Sequence, residues 1–517
     1  IYCLGEPLTI TAVDAVGNAI PTFVGTITLD TQQGSGQFSL TSGNGAFLSQ
    51  TNGTASYSFV PLDIGSASFL LDYPSGNSAV DIDAFLTASS VVRDDDSEGD
   101  LTFYPSGFTL TAAPLSNPPS PPIDTSIPAQ ISATAFRLYL TAYGVTDDDP
   151  TCGVIESYSG GKALRFWQAY TNPTSGTLRS TVNANTVAAS EGTATPQSVS
   201  FSAGQAAVQV NYPDVGQIRL GASDTATGTA AISGSTSNFV VKPAELRISK
   251  IESATGVANP AANSLSGQGF VAAAEPFVVE VDAINANGAL TPNFGREQVS
   301  ETIEVRSEAL VLPAGGINGS SNNVLSGAAF SSTATAGRQR NDAARFDETG
   351  IITLRARLLD DDYLGAGDVA RPVVSRVGRF YPSSFELSSA TLSPSCGSFT
   401  YMDQPGLNLS FEIQALNADG NLTSNYADSL YGSANTADLM LTAENGNNGT
   451  DLSTRLSALT SSWQGGLQNV ATSVIFERAA APDGPYSDLA IGLRVIDNLD
   501  SQRITSANIN SALPGDC

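Results

Sequence analysis

Along the chain, apolar residues alternate with polar ones far more often than they recur every three or four positions. The clearest run lies at residues 407–415, where Leu407, Leu409, Phe411, Ile413 and Ala415 share one face and polar side chains the other. A period of two marks a strand with one wet side. Residues 277–283 form a second such run, and Phe136, Leu138, Leu140 and Ala142 a third. The first two runs lead into similar tails, Leu416-Asn417-Ala418-Asp419-Gly420 and Ile284-Asn285-Ala286-Asn287-Gly288. Their Asp-Gly and Asn-Gly pairs supply the positive-φ positions of tight turns. A shorter version spans residues 11–18, around Asp14 and Gly17. Helical spacing is scarce. Its best case is Leu452, Leu456, Leu459 and Trp463, which fits a short helix or a loop with a strand.

A longer repeat organises these strands. Phe103-Tyr104-Pro105-Ser106-Gly107-Phe108-Thr109-Leu110 matches Phe380-Tyr381-Pro382-Ser383-Ser384-Phe385-Glu386-Leu387, and Val241-Lys242-Pro243-Ala244-Glu245-Leu246-Arg247-Ile248 is a weaker copy. In each, apolar residues follow the proline by three and five positions. Proline lacks a ladder donor and fixes φ, so it suits the point where one strand ends and the next domain begins. The junctions cut the chain into residues 1–100, 101–240, 241–379 and 380–517. Inside the segments an acid precedes a glycine by two or three residues, as in Asp63-Ile64-Gly65, Asp214-Val215-Gly216 and Asp347-Glu348-Thr349-Gly350, and a further alternating strand follows. In the fourth segment the glycine is lost, and Tyr486-Ser487-Asp488-Leu489 stands there. This order of signals is that of the E–F corner in immunoglobulin-like sandwiches. The expected fold is all-β: four tandem immunoglobulin-like β-sandwich domains forming an elongated rod. The proline-rich residues 114–128 are expected to be a stiff surface loop inside the second domain. Residues 315–327 and 444–450 are expected to be turns or exposed loops.

Composition narrows the chemistry. Charged residues make up 14% of the 517-residue chain, against about 25% in a typical soluble domain. The formal net charge is -27, from 50 acids and 23 bases. Such a field repels nucleic acid and anionic lipid. Histidine is absent, which removes the commonest general base and the commonest transition-metal ligand. There is no Gly-x-Ser-x-Gly elbow and no phosphate loop, so no enzyme activity is expected. No run of about 18 apolar residues could span a membrane, so no membrane insertion is expected of this segment. The chain starts at Ile1 in strand-like sequence, as a fragment or processed product would.

Three acidic clusters are candidate sites: Asp94, Asp95 and Asp96 with Glu98 and Asp100; Asp147, Asp148 and Asp149; and Asp360, Asp361 and Asp362 with Asp368. The first and third lie at or shortly before a junction. Calcium takes roughly six to eight oxygens, so calcium there would stiffen the junctions. The bland reading is a solvated acidic loop. The four cysteines, Cys3, Cys152, Cys396 and Cys517, show no Cys-x-x-Cys spacing and are disulfide candidates. Cys396 and Cys517 fall at the two ends of one segment, where a bond would staple its first and last strands. Cys3 would pair with Cys152 or with a partner outside this sequence. Phe166-Trp167 and Trp463 are expected to be core residues rather than ligand anchors. With only Lys162, Lys242 and Lys250 present, an isopeptide bond in every domain is impossible, and none is expected.

Several stretches resemble the MshQ-like proteins encoded with the mannose-sensitive haemagglutinin (MSHA) type IV pilus of Gram-negative bacteria. They include Val377-Gly378-Arg379-Phe380-Tyr381-Pro382, then Ser395-Cys396-Gly397-Ser398-Phe399-Thr400-Tyr401-Met402, and Gln414-Ala415-Leu416-Asn417-Ala418 through Asn425-Tyr426. Pro150-Thr151-Cys152-Gly153-Val154-Ile155-Glu156 and Tyr363-Leu364-Gly365-Ala366-Gly367-Asp368-Val369 look similar too. The resemblance covers most of the chain. It implies a large, exported, mostly β protein associated with a pilus and surface attachment, and no catalysis. Family members often add a lectin-like or laminin-G-like region that this sequence lacks. The expectation is a secreted or cell-surface structural and adhesive stalk whose partners are other pilus or surface proteins, or copies of itself in a fibre. The alternatives are a glycan- or protein-binding adhesin module and a subunit of a self-assembling filament. Exposed aromatics clustered in one loop set would favour direct binding.

Overall fold

The computed structural model of the chain describes residues 5–73, 78–94, 99–103, 106–117, 123–144, 153–224, 232–319, 325–327, 329–446, 448–460, 462–497, 499–500 and 504–509. Strands dominate the regular structure, and a four-residue α-helix, Asp428–Tyr431, interrupts them. The fold is all-β. Strand pairing falls into four sets, and among the described residues no ladder joins one set to the next. The chain divides into two compact units, Ile1–Lys242 and Pro243–Cys517.

The first unit holds two of the sets. In the first set a three-stranded sheet (Glu6–Thr11, Ser66–Asp72, Gln37–Ser42) accompanies a five-stranded sheet that runs from Ala46–Thr51 to Ser89–Arg93. Its core gathers Leu29, Tyr57, Phe59, Phe69, Tyr73 and Phe103. The second set begins at Ser106–Thr111 and ends at Phe239–Lys242, with Phe108, Leu138, Leu140, Phe166, Val210 and Val241 in a separate core. Phe103 and Phe108 therefore belong to different cores, and the handover falls between them. The described parts of residues 114–128 carry no strand and lie between Ser106–Thr111 and Gln130–Ile131.

Trp167 corrects an expectation. Strand Gly160–Asn172 alternates, so burying Phe166 turns Trp167 to the opposite face. There it lies half-buried over Gly221, where an added Cβ would stand 2.1 Å from the indole.

The second unit repeats one plan twice. Strands Glu245–Ser253, Phe277–Ile284 and Arg338–Ala344 form one sheet of the third sandwich, and Ile303–Leu312, Gly350–Leu358 and Val373–Phe380 the other. In the fourth, Ser384–Ser393, Leu407–Leu416 and Leu467–Val474 accompany Asp438–Asn445, Leu489–Ile496 and Ile504–Asn508. Phe380 closes the third core against Phe270, Phe277 and Phe346, whereas Phe385 opens the fourth against Tyr426 and Trp463. Trp463 is a core residue whose Nε1 donates to the Ala437 carbonyl at 2.8 Å. Of the two alternatives for residues 452–463, a short helix or a loop with a strand, the chain forms a 3-10 turn, Ser453–Arg455, followed by irregular chain.

Two local devices recur. The side-chain oxygen of Asp14, Asn285 or Asn417 accepts backbone N–H groups two and four residues on, which closes the loop after a strand. At the corners, Asp63, Asp214 and Glu348 are each buried two residues before a positive-φ glycine (Gly65, Gly216, Gly350). In the third sandwich the corner acid is thus Glu348 rather than Asp347. The position two before the glycine directs the carboxyl inward, where Glu348 accepts the Thr349 N–H at 2.8 Å. Asp214 does the same with Val215 at 2.9 Å.

Strand Phe277–Ile284 is buried on both faces. Its non-core face carries Glu280 and Asp282, which Lys250, Arg338 and Arg340 cover from neighbouring strands. Among the described residues no helix is long and apolar enough to cross a membrane.

Candidate functional site

The acidic loop at residues 360–368 has arginines inside it. Both Asp361 oxygens meet guanidinium groups, Arg357 and Arg371, each at 2.5 Å. Asp368 reaches Arg371 at 2.9 Å and accepts the Val369 N–H. Asp362 accepts the amides of Gly365 and Gly367, and Asp360 that of Asp362. Nearby, burial with the Glu297, Asp360 and Asp362 carboxylates pushes Glu301 up to about 7. Among the described residues no three acidic or cysteine side chains form a group that could hold a metal ion. Calcium at Asp361 would have to displace Arg357 and Arg371. Of the first cluster, Asp94 accepts the Ala84 amide at 2.8 Å and Asp100 is exposed. Asp95, Asp96 and Glu98, like Asp147, Asp148 and Asp149, lie outside the described residues.

Cys396 is half-exposed and among the described residues forms no disulfide; Gln404 Nε2 donates to its sulfur at 3.5 Å. Cys3, Cys152 and Cys517 lie outside the described residues. Strand Ile504–Asn508 runs antiparallel to Leu489–Ile496, with Asn508 opposite Gly492. It therefore leaves the sheet at the end where the Cys396 loop sits.

Two places gather more chemistry than these clusters. The first is the joint between the third and fourth sandwiches. The loop after Leu407–Leu416 lies against the third sandwich, and Ala418 N donates to the Ala273 carbonyl at 2.8 Å. Asn417 Nδ2 donates to the Asp347 carbonyl at 2.9 Å, and Ser424 N to Glu348 at 2.7 Å. Asn425 is buried, and every polar atom of its side chain is bonded across the joint. Its oxygen accepts Ile317 N at 2.7 Å, and its Nδ2 donates to the Ile317 and Thr349 carbonyls at 2.8 and 3.0 Å. Arg379, 2% exposed, forks onto both Asp500 oxygens at 3.0 and 2.9 Å and donates Nε to the Gly267 carbonyl. Burial raises the pKa of Asp497 and pushes Glu348 up to about 7, against the pull of its N–H donors.

The second is the opposite end of the fourth sandwich. Antiparallel pairing of Ser384 with Leu416 and Ser393 with Asn408 puts the 394–406 loop at the far end from the joint. The loop after Leu467–Val474 and the Ser453–Arg455 turn meet it there. Arg455 ties the three together. Nε donates to the Glu477 carbonyl at 2.7 Å, and Nη1 donates to Asp483 at 2.7 Å and to Tyr486 Oη at 3.2 Å. Nη2 approaches Met402 Sδ at 3.3 Å. The guanidinium also lies 4.6 Å from the Phe476 ring centre. Hydrogen bonds from Tyr486 and Arg455 hold Asp483 below its usual pKa. The 394–406 loop of this brace also carries Phe399 and Tyr401, 51% and 62% exposed, edge to face at 5.1 Å. Sequence patterning missed Arg455 and Arg379, because a lone arginine carries no periodic signal. Phe399 and Tyr401 were visible only as members of the stretch that resembles the pilus-locus proteins.

The first sandwich also has an apolar cleft of about 730 Å³, with Leu8, Ile10, Phe23, Phe59, Phe85 and Val92 among its lining residues.

Comparison with curated proteins by sequence finds no match. Among solved structures, invasin, a bacterial integrin-binding protein, is similar at 12% identity and a TM-score of 0.29, over 78% of this chain and 60% of its own. A C-terminal intimin fragment, in complex with the intimin-binding domain of the translocated intimin receptor, is similar at 14% identity and a TM-score of 0.22, over 51% and 64%. The native conformation of an E. coli alpha-2-macroglobulin is similar at 10% identity and a TM-score of 0.18, over 98% and 28%. The chain thus spans less than two thirds of each of these structures. Residues 88–236 match the first, Ig-like domain of DUF6701, a domain of unknown function, residues 242–342 its second domain and residues 348–517 its third. The boundary between the last two falls inside the third sandwich, since Gly350–Leu358 pairs with Ile303–Leu312. From residue 88 onward, the chain carries the three DUF6701 domains in order.

Proposed function

We propose that this chain is a non-catalytic surface module, in which tandem immunoglobulin-like sandwiches hold an adhesive end at a fixed distance and angle. One observation carries the reading: the joint between the third and fourth sandwiches is made of buried, directional bonds. A flexible tether needs few contacts, and interfaces between independently moving domains are modest and polar. Here Asn425 commits both its donors across one boundary, and Arg379 forks across the same boundary onto Asp500. An orientation-dependent fork loses its bonds if the domains rotate, so such a joint transmits orientation. The resemblance to pilus-locus proteins supports a place on the outside of a Gram-negative cell, among pilus or surface partners.

The test is display of the full chain on a bacterium that lacks adhesins of its own, with attachment to host-cell or abiotic surfaces counted under flow. The expected result is greater retention than with empty cells, reduced by Asn425→Ala at equal surface level. No gain in retention on any surface would overturn the reading.

A further inference from the structure

The loop end of the fourth sandwich is built as a platform rather than as loose connections. Three loops are pinned together by one nearly buried arginine, whose side chain is 13% exposed. Large aromatic rings are usually withdrawn from water, yet Phe399 and Tyr401 are left exposed and packed edge to face against one another. The surrounding charge is one-sided. Among the described residues of these loops, Asp403, Asp451, Glu477, Asp483 and Asp488 are exposed. Arg478, 3.7 Å from Asp403, and Arg455, paired with Asp483, offset two of the five.

We propose that this platform docks a basic segment of a partner protein. A lysine or arginine of that segment packs on the Phe399 and Tyr401 rings, and its neighbours meet the rim carboxylates. An aromatic ring face attracts a cation through its quadrupole, and nearby carboxylates strengthen that attraction. The net charge of -27 steers a cationic partner toward the chain, while the rings decide where it stops. Arg455 is a positioning residue, since it holds the loops and touches no partner. The inference rests on the adhesive reading for its purpose. Binding is measured on purified chain, however, so a failure here leaves the attachment experiment free to succeed, and the reverse.

The experiment titrates a fluorescent Lys-Arg-Lys-Arg peptide against the full chain at about 0.15 M salt. The comparison is with the double variant Phe399→Ser, Tyr401→Ser and with Tyr401→Lys, each checked for an unchanged melting profile. Saturable binding to the parent chain is expected, weakened roughly tenfold by removing both rings and further by the lysine. Equal affinity of the parent and the ring variant would overturn the proposal, because the whole acidic surface would then be the binder. Absence of saturable binding would overturn it as well, as would a neutral oligosaccharide that binds the rings while the peptide does not. Arg455→Lys separates positioning from contact. It is expected to weaken the peptide while increasing amide exchange in the 396–405 and 475–488 loops, and weaker binding with unchanged exchange would contradict the positioning role.

Discussion

Replacing Arg379 with alanine is expected to destabilise the second unit by about 3–5 kcal/mol, the usual cost of removing one partner from a buried ion pair. The guanidinium is nearly sealed from water, forks onto Asp500 and donates to Gly267. Without it the Asp500 carboxylate, 14% exposed, stays beside the buried Asp497 with no counter-charge. The chain supplies its own reporters. Trp463 lies in the fourth core and Trp167 in the first unit, so a Trp167→Phe background leaves Trp463 fluorescence to follow the second unit alone. With a urea slope of roughly 1–3 kcal/mol per molar, the Trp463 midpoint should fall by on the order of 1–5 M. Arg379→Lys should recover only part of the loss, because an ammonium cannot fork. A shift below about 0.5 M would show that the pair contributes little.

The second large effect is on pH. Burial pushes Glu348 up to about 7 in the folded chain, from an ordinary value of 4.5. The folded state therefore holds a proton that the unfolded chain has released between those values. Stability must fall as pH rises through that window and level off above it. The full shift corresponds to roughly 3 kcal/mol at most. Glu301 shifts in the same direction for the same first reason, burial, as does Asp497. The Trp463 urea midpoint should thus be higher at pH 5 than at pH 7.5, in high salt that screens the general repulsion of an acidic chain. Glu348→Gln keeps an acceptor for Ser424 but cannot titrate, and it should flatten much of the slope. A midpoint that rises with pH over this range would contradict the assignment.

How far the sequence spoke for itself depends on the kind of signal. Alternation at residues 277–283 and 407–415 marked strands, because burial on one face of a sheet repeats every two residues. The acid-to-glycine corner was visible, yet Asp347 stood out over Glu348 until the inward position two before Gly350 was seen. The acidic loop shows a second limit of local pattern. Asp360, Asp361 and Asp362 are adjacent in sequence, while Arg357 and Arg371, which neutralise Asp361, approach only after the strand and the loop have folded back. Phe166-Trp167 looked like a paired core segment, although adjacent residues of a strand face opposite ways. The joint and the aromatic platform are made of single residues from distant segments. Asn425, Arg379, Arg455 and Phe399 acquire their roles only through pairing that no local pattern announces.

Amide hydrogen exchange on the intact chain at neutral pH measures the joint most directly. Ser424, Ala418 and Ile317 donate their N–H groups across it. A joint that fixes orientation should protect these three loop amides about as strongly as the strands Leu407–Leu416 and Gly350–Leu358 beside them. Exchange of the three at the pace of open loops, with those strands still protected, would mean that the sandwiches swing freely and that the chain holds nothing at a fixed angle.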